Sequence, residues 1–412
     1  MAASTQAIKG GIRLTFDAVE GITNSVERMH ETIARTPLPC STQPAAATGA
    51  HGVIAAGVYA IIRGVNGGLR EGVDRSLELL PNTGVDRRSE TEIKTIAALN
   101  GAFGDHLEAT GNTLATPMGL TTPDHQVHLN SPALATGFPQ ASPHLVVLVH
   151  GLGLSDRNWR RGNQPGMGEK LQENLGYTPL YLRFNSGRHI STNGREFAQL
   201  LDQLCAAWPV PVESLSLIGH SMGGLVIRSA CWYGHQAQAS WLQPLQRVVC
   251  LGTPHHGSPV AKAGHALNRM MEKSPYTAPL AFGKKRSAGI KDLRHGYLLD
   301  EDWQSDGTGQ PLPERRRTVP LLPNVDYYFA AATVGRDSQD PLGHLLGDLL
   351  VRLDSAVGSH RDDLRQLAIK PENCRVFHNK NHFDLLHDES VHRQIIDWFS
   401  ASQCDQVTDG AR

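Results

Sequence analysis

Neither sign of charge dominates this chain of 412 residues: 39 lysines and arginines stand against 40 acidic residues, a formal net charge of -1 at pH 7. With no basic excess and no nucleic-acid recognition motif, DNA and RNA are excluded as partners. Cysteines are few and scattered. Cys40, Cys205, Cys231, Cys250, Cys374 and Cys404 form no C-x-x-C pair, which argues against a zinc or redox site. Cys205, Cys231 and Cys250 lie in apolar stretches and read as small buried hydrophobes. Long apolar runs are missing too. The most apolar stretch, 53–62, is broken by Arg63 and is far short of a bilayer span. The opening residues MAASTQAIKGGIRLTF hold no apolar core of the secretory kind. The expectation is a soluble, cytoplasmic protein that touches a membrane at most peripherally. What remains, 40% hydrophobic and 19% charged residues, is ordinary for a globular chain with a core.

The first hundred residues differ from the rest. Ile8, Ile12, Phe16, Val19, Ile22, Val26, Met29 and Ile33 recur at steps of three or four, which predicts an amphipathic helix. Residues 37–50, with Pro, Thr, Ser and small residues, read as a linker. A second stripe follows Ile54, Val58, Ile61, Val65, Leu69 and Val73, and a third follows Ile93, Ile96, Asn100, Phe103 and Leu107. Ser89 and Glu92 have capping-box spacing at the start of the third. Such helices must bury their stripes on each other or on a larger body. Residues 1–115 are therefore expected to be a helical extension that acts as a buttress, a cap over a site or a lipid-docking surface.

From about residue 118 strands and helices alternate. Strands are expected at 145–149, 180–184, 215–218 and 247–251, with helices at 167–175, 196–208 and 222–232 between them. This rhythm predicts an α/β architecture, a parallel sheet with helices on both faces. It stops after Gly257, leaving an insertion at 258–322 placed to form a lid. It resumes with strands at 327–331 and 374–378 and a helix at 391–399. The main domain is thus expected at 116–402, with 403–412 as a tail.

Gly219-His220-Ser221-Met222-Gly223 has the G-x-S-x-G form, with a buried strand before it and a helix after it. A turn that sharp strains the nucleophile's backbone, and glycine on each side removes side-chain clashes. Ser221 is the expected nucleophile. A serine hydroxyl needs a base, an orienting acid and two N–H donors for the oxyanion. One donor is expected to be Met222 N–H. The other is Leu152, in the loop His150-Gly151-Leu152-Gly153 after the first strand. The base expected from the order Ser, acid, His is His382, in Asn379-Lys380-Asn381-His382-Phe383-Asp384. His150 comes too early for that order. His255 and His256 precede any acid and suit a supporting role or a lid hinge. The acid is open among Asp326, Asp337, Asp340, Asp348 and Asp354. Asp326 begins a strand, the wrong end, and Asp348 leads because its apolar surroundings make a free carboxylate costly.

Taken with Arg183-Phe184-Asn185-Ser186-Gly187 and Leu251-Gly252-Thr253-Pro254-His255-His256-Gly257, these motifs resemble α/β-hydrolase lipases and esterases close to the bacterial lipases and the GPI inositol-deacylase-like hydrolases. The resemblance spans about residues 144–400 and implies the α/β-hydrolase fold and cleavage of carboxylic esters. Its lipolytic members carry the acid in an Asp-Gly-Leu-Val-like segment, and Gly347-Asp348-Leu349-Leu350-Val351 is similar except for leucine after the acid. Some bacterial lipases bind calcium near an aspartate placed like Asp384; no other ligand is recognisable here, so no metal is expected. The chemistry implied needs no cofactor. The expected substrate is a hydrophobic ester, lipid ester or polyester. Acyl transfer at the same Ser221–His382–Asp348 site and a non-catalytic binding role are the alternatives.

Overall fold

The structure, a computed structural model, describes residues 10, 11, 13, 89–162, 164–258, 287–304, 316–336, 348 and 350–409, with side chains described to 401 apart from that of 131. The stripes from Ile8 to Ile33 (Gly10, Gly11 and Arg13 apart) and from Ile54 to Val73 lie outside the described residues. So do the linker, positions 259–286 and 305–315 of the insertion, Asp337 and Asp340. The chain divides into two compact units. In the first, Met1–Ser89 with Leu107–Ala115, Asn112 accepts from Leu114 N–H at 2.9 Å and donates to Gly10 O at 3.3 Å.

The second unit, Glu90–His106 with Thr116–Arg412, holds an eight-stranded sheet. Its strands are β1 (Gly119–Thr121), β2 (Gln126–Val127), β3 (His144–Val149), β4 (Thr178–Arg183), β5 (Ser214–His220), β6 (Leu245–Leu251), β7 (Asp326–Thr333) and β8 (Cys374–His378). They run in the order β2-β1-β4-β3-β5-β6-β7-β8. β1 is antiparallel to both neighbours, and β3 to β8 are parallel. This is the parallel α/β architecture that the strand–helix rhythm predicts, and it agrees with the α/β-hydrolase fold that the resemblance implies.

The continuous apolar character of β3 has a direct cause. Leu145, Val147 and Val149 enter the core on one face of the sheet, and Val146 and Leu148 enter the core on the other. The first core includes residues of α4 (Ile190–Ala207) and α5 (Met222–Gln236), and the second residues of α3 (Met167–Leu175) and α9 (Glu389–Asp409). Each fully buried Leu or Val is worth roughly 1.5–3 kcal/mol. Strand order reverses between β3 and β5, since β3 leads to β4 on one side and β5 to β6 on the other. In open α/β sheets the crevice at such a point, at the carboxyl ends, is where ligands bind.

Three features depart from the sequence expectation. The short strands β1 and β2 were not anticipated, because two or three residues carry no readable period. α4 begins at Ile190 rather than 196. Its first turn is held from outside by Asp292, whose Oδ2 accepts Ile190 N–H at 2.9 Å, and by Asn193 Nδ2 donating to Asn185 O. Within the insertion, α6 (Ala288–His295) is capped by Ser287 Oγ and ends on Gly296 at φ 67°. The third apolar stripe is the helix α1 (Glu90–Ala109), with Ile96 and Asn100 buried.

Candidate active site

Ser221 follows β5 with φ 55° and ψ −120°, a conformation costly for a side-chain-bearing residue. The turn is held by Ser221 N–H donating to Leu251 O at 2.8 Å and Gly224 N–H donating to Ser221 O at 3.2 Å. Glycine is required at 223, where a Cβ would lie 2.2 Å from Val149 O. The elbow is therefore pressed against the end of β3. This brings Ser221 beside the loop after β3: a Cβ on Gly151 would lie 3.0 Å from Ser221 Cβ.

The loop after β3 is rigidly built. Gly153 takes φ 67° and its N–H donates to Ser186 Oγ at 2.9 Å, while Leu154 N–H donates to Gly151 O. His150 stacks on Phe184 at 4.2 Å, its Nδ1 bonds Gly151 O at 2.9 Å and its Nε2 accepts Phe184 N–H. Burial pushes its pKa down to about 4, so it is a neutral structural link. Leu152 N–H has no acceptor among the described residues. Met222 N–H, at the first position of α5, has no partner within its helix.

Asp348 and His382 are both buried and joined by a 2.5 Å contact from Nδ1 to Oδ2. The other carboxylate oxygen accepts Leu350 N–H at 2.9 Å and Val351 N–H at 2.7 Å. With Nδ1–H turned to Asp348, the neutral imidazole carries its lone pair on Nε2. Of the other acids, Asp354 stands exposed in α8 (Leu353–Ala356) and Asp326 exposed at the start of β7. His382 O accepts His220 Nε2–H at 3.1 Å, which ties the histidine loop to the residue before Ser221. Ser221, Asp348 and His382 thus follow β5, β7 and β8 at the carboxyl edge, with Leu152 after β3. Among the described residues no hydrogen bond joins Ser221 Oγ to His382.

His255 and His256 stand apart from this group. His255 stacks on Phe329 at 4.2 Å and meets Arg228 Nη1 at 3.4 Å; His256 Nδ1 meets Arg316 Nη2 at 3.1 Å. Burial holds the first well below its ordinary pKa and the second at about 4. Asp384 caps a turn by accepting Asn381 N–H. Among the described residues no group of three His, Cys, Asp or Glu is placed to hold a metal ion, and no helix is long and apolar enough to cross a membrane. Two contributors carried no assigned role in the sequence: Ser186, which braces the loop after β3, and His220, which braces His382. Their places inside the quoted motifs were the only signal.

Residues 140–318 match the family model described as a PGAP1-like alpha/beta domain. That stretch contains the turn at Ser221 and the loop after β3 and ends before Asp348 and His382. No curated protein matches the chain. Similar solved structures include the mature lipase BlEst2 of Bacillus licheniformis, at 21% identity and TM-score 0.38 over 66% of this chain and 92% of that one. EstA of Clostridium botulinum shares 14% identity at TM-score 0.40 over 63% and 87%. Esterase B of Lactobacillus rhamnosis, inhibited by a tributyrin phosphonate, shares 14% at TM-score 0.35 over 65% and 80%.

Proposed function

We propose that this protein hydrolyses carboxylic esters carrying hydrophobic groups, through an acyl-enzyme on Ser221. The observation that carries this reading is the buried Asp348–His382 couple at the same sheet edge as the strained Ser221 turn. A carboxylate this deeply buried and fully bonded fixes an imidazole whose free Nε2 can take a proton. Catalytic contacts are often long before substrate binds, and the Ser221 hydroxyl then has a base to work with. His382 removes the Ser221 proton as Oγ attacks the ester carbonyl. Leu152 and Met222 N–H groups hold the oxyanion, and the alcohol leaves with the proton from His382. Water, activated by the same imidazole, releases the acid. No cofactor enters these steps.

The hydrophobic substrate class, lipid esters included, rests on the surroundings. Phe383, 37% exposed, sits edge-on to His382 at 5.7 Å. Leu152 and Phe103, each partly buried, pack on Ala102 and Ile290. Ser221→Ala is expected to lower kcat on a p-nitrophenyl ester about 10^6-fold, without moving the urea midpoint, and to abolish labelling by a fluorophosphonate. Wild-type turnover in that variant would sink the reading.

A further inference from the structure

The family match begins at residue 140, yet α1 lies directly against the oxyanion loop. A Cβ built on Gly101 would lie 2.7 Å from Gly153 Cα and 2.8 Å from Gly153 N. Helix and loop backbones therefore meet with no room for a side chain. The same helix face receives the loop after β4: a Cβ on Gly187 would lie 2.1 Å from Asn100 O and 2.6 Å from Gly104 N. Asn185 Nδ2 donates to Gly104 O at 2.8 Å. This second loop carries Ser186, which accepts Gly153 N–H. On the other flank Ser287 Oγ donates to Gly101 O at 2.7 Å, and Asp105 Oδ2 accepts Ala288 N–H at 3.0 Å, so α6 locks the helix in place. Leu152 itself, whose N–H is the second oxyanion donor of the proposed reaction, packs, as Phe103 does, against the cluster of Ala102 and Ile290.

We infer that Glu90–His106 is a positioning element of the active site: Gly101 seats Gly153, and Phe103 with Ala102 anchors the Leu152 side chain, so the Leu152 N–H stays aimed at the developing oxyanion. This rests on the ester-hydrolase reading. An interior helical glycine disfavours the helix relative to alanine. Gly101 and Gly104 on one face of a 20-residue helix therefore point to a requirement for close approach. Oxyanion stabilisation depends on donors fixed before the reaction, and a displacement on the order of 1 Å costs about a hundredfold in rate.

The test uses the full chain with Gly101→Ala and Phe103→Ala. Each is assayed on p-nitrophenyl acetate and on a longer acyl ester at a temperature well below its own Tm. Gly101→Ala is expected to lower kcat about 10- to 100-fold, equally on both esters, with KM within about threefold. Phe103 is only partly buried, so its variant folds even if Gly101→Ala does not; it is expected to lose kcat about three- to tenfold on the acetate as well, a substrate too short to need an acyl wall. Unchanged kcat in folded Gly101→Ala, or in Phe103→Ala where Gly101→Ala does not fold, would overturn the inference. So would a loss confined to KM for the longer ester, since it would make the helix a binding wall only. An inactive wild type would instead overturn the hydrolase reading, so the two failures are told apart.

Discussion

At the scale of single residues the proposed site rests on tautomer control. Asp348 accepts three bonds: two N–H groups on Oδ1 and His382 on Oδ2. Replacing it by asparagine offers His382 a donor where it needs an acceptor, which turns the imidazole lone pair away from Ser221. Asp348→Asn is expected to lower kcat about 10^4-fold with the fold intact. Asp354→Asn, at an exposed position, is expected to leave kcat unchanged. Ester-hydrolysis assays on both variants check this, and the reverse pattern would move the acid to Asp354. The sequence allowed this discrimination only in part. It offered Asp348 because a lone buried carboxylate is expensive, but several aspartates satisfied the chain order. Distance to an imidazole is a tertiary quantity that no local pattern encodes. His220 was illegible for the same reason: its partner, His382 O, lies 162 residues away.

At the scale of elements, legibility followed local pattern. β3, α3 and β8 fall where the sequence placed them to within a residue: β3 is a continuous apolar run, α3 is amphipathic with Met167 and Leu171 on its buried side, and β8 is a short strand with Phe377 buried. The start of α4 did not. Thr192, Asn193 and Gly194 are weak helix formers, and what holds that turn is Asp292, a side chain of α6 far along the sequence. Asp292 Oδ2 accepts both His189 Nδ1–H and Ile190 N–H at 2.9 Å, and the His189 ring stacks on Trp303 at 3.6 Å. Burial raises the Asp292 carboxyl above the usual range, and its bonds to His189 pull it only part of the way back. Asp292→Ala leaves a buried N–H and an imidazole unpaired, at a cost of about 2–4 kcal/mol. The expected readout is a lower Tm with faster amide exchange confined to the first turn of α4, over 190–195. Exchange rates there equal to wild type would show that the turn holds itself.

At the scale of the whole molecule, burial lowers the pKa of seven histidines among the described residues, four of them strongly. His150 and His256 are each lowered to about 4, and His220 and His255 well below 6.5, all chiefly by burial. Between pH 6.5 and 4 the unfolded chain therefore binds protons that the native state refuses. Stability rises with pH wherever the unfolded state binds more protons. This contribution is complete above about pH 6.5 and is lost as pH falls toward 4. Asp292 opposes it, because its raised carboxyl is protonated first in the native state, but it is one group against four. For His150, whose side chain is fully enclosed, the depression corresponds to on the order of 3 kcal/mol. The urea midpoint is expected to drop steadily from pH 7 to pH 4.5, with a smaller drop in His150→Phe, since that ring stacks on Phe184 without titrating. A flat midpoint over this range would mean that these imidazoles reach water in the native state. Because three of these four, His150, His220 and His255, sit at or shortly after the ends of β3, β5 and β6, acid is expected to loosen the carboxyl edge first, and the proposed esterase activity should fall before the helices unfold by circular dichroism.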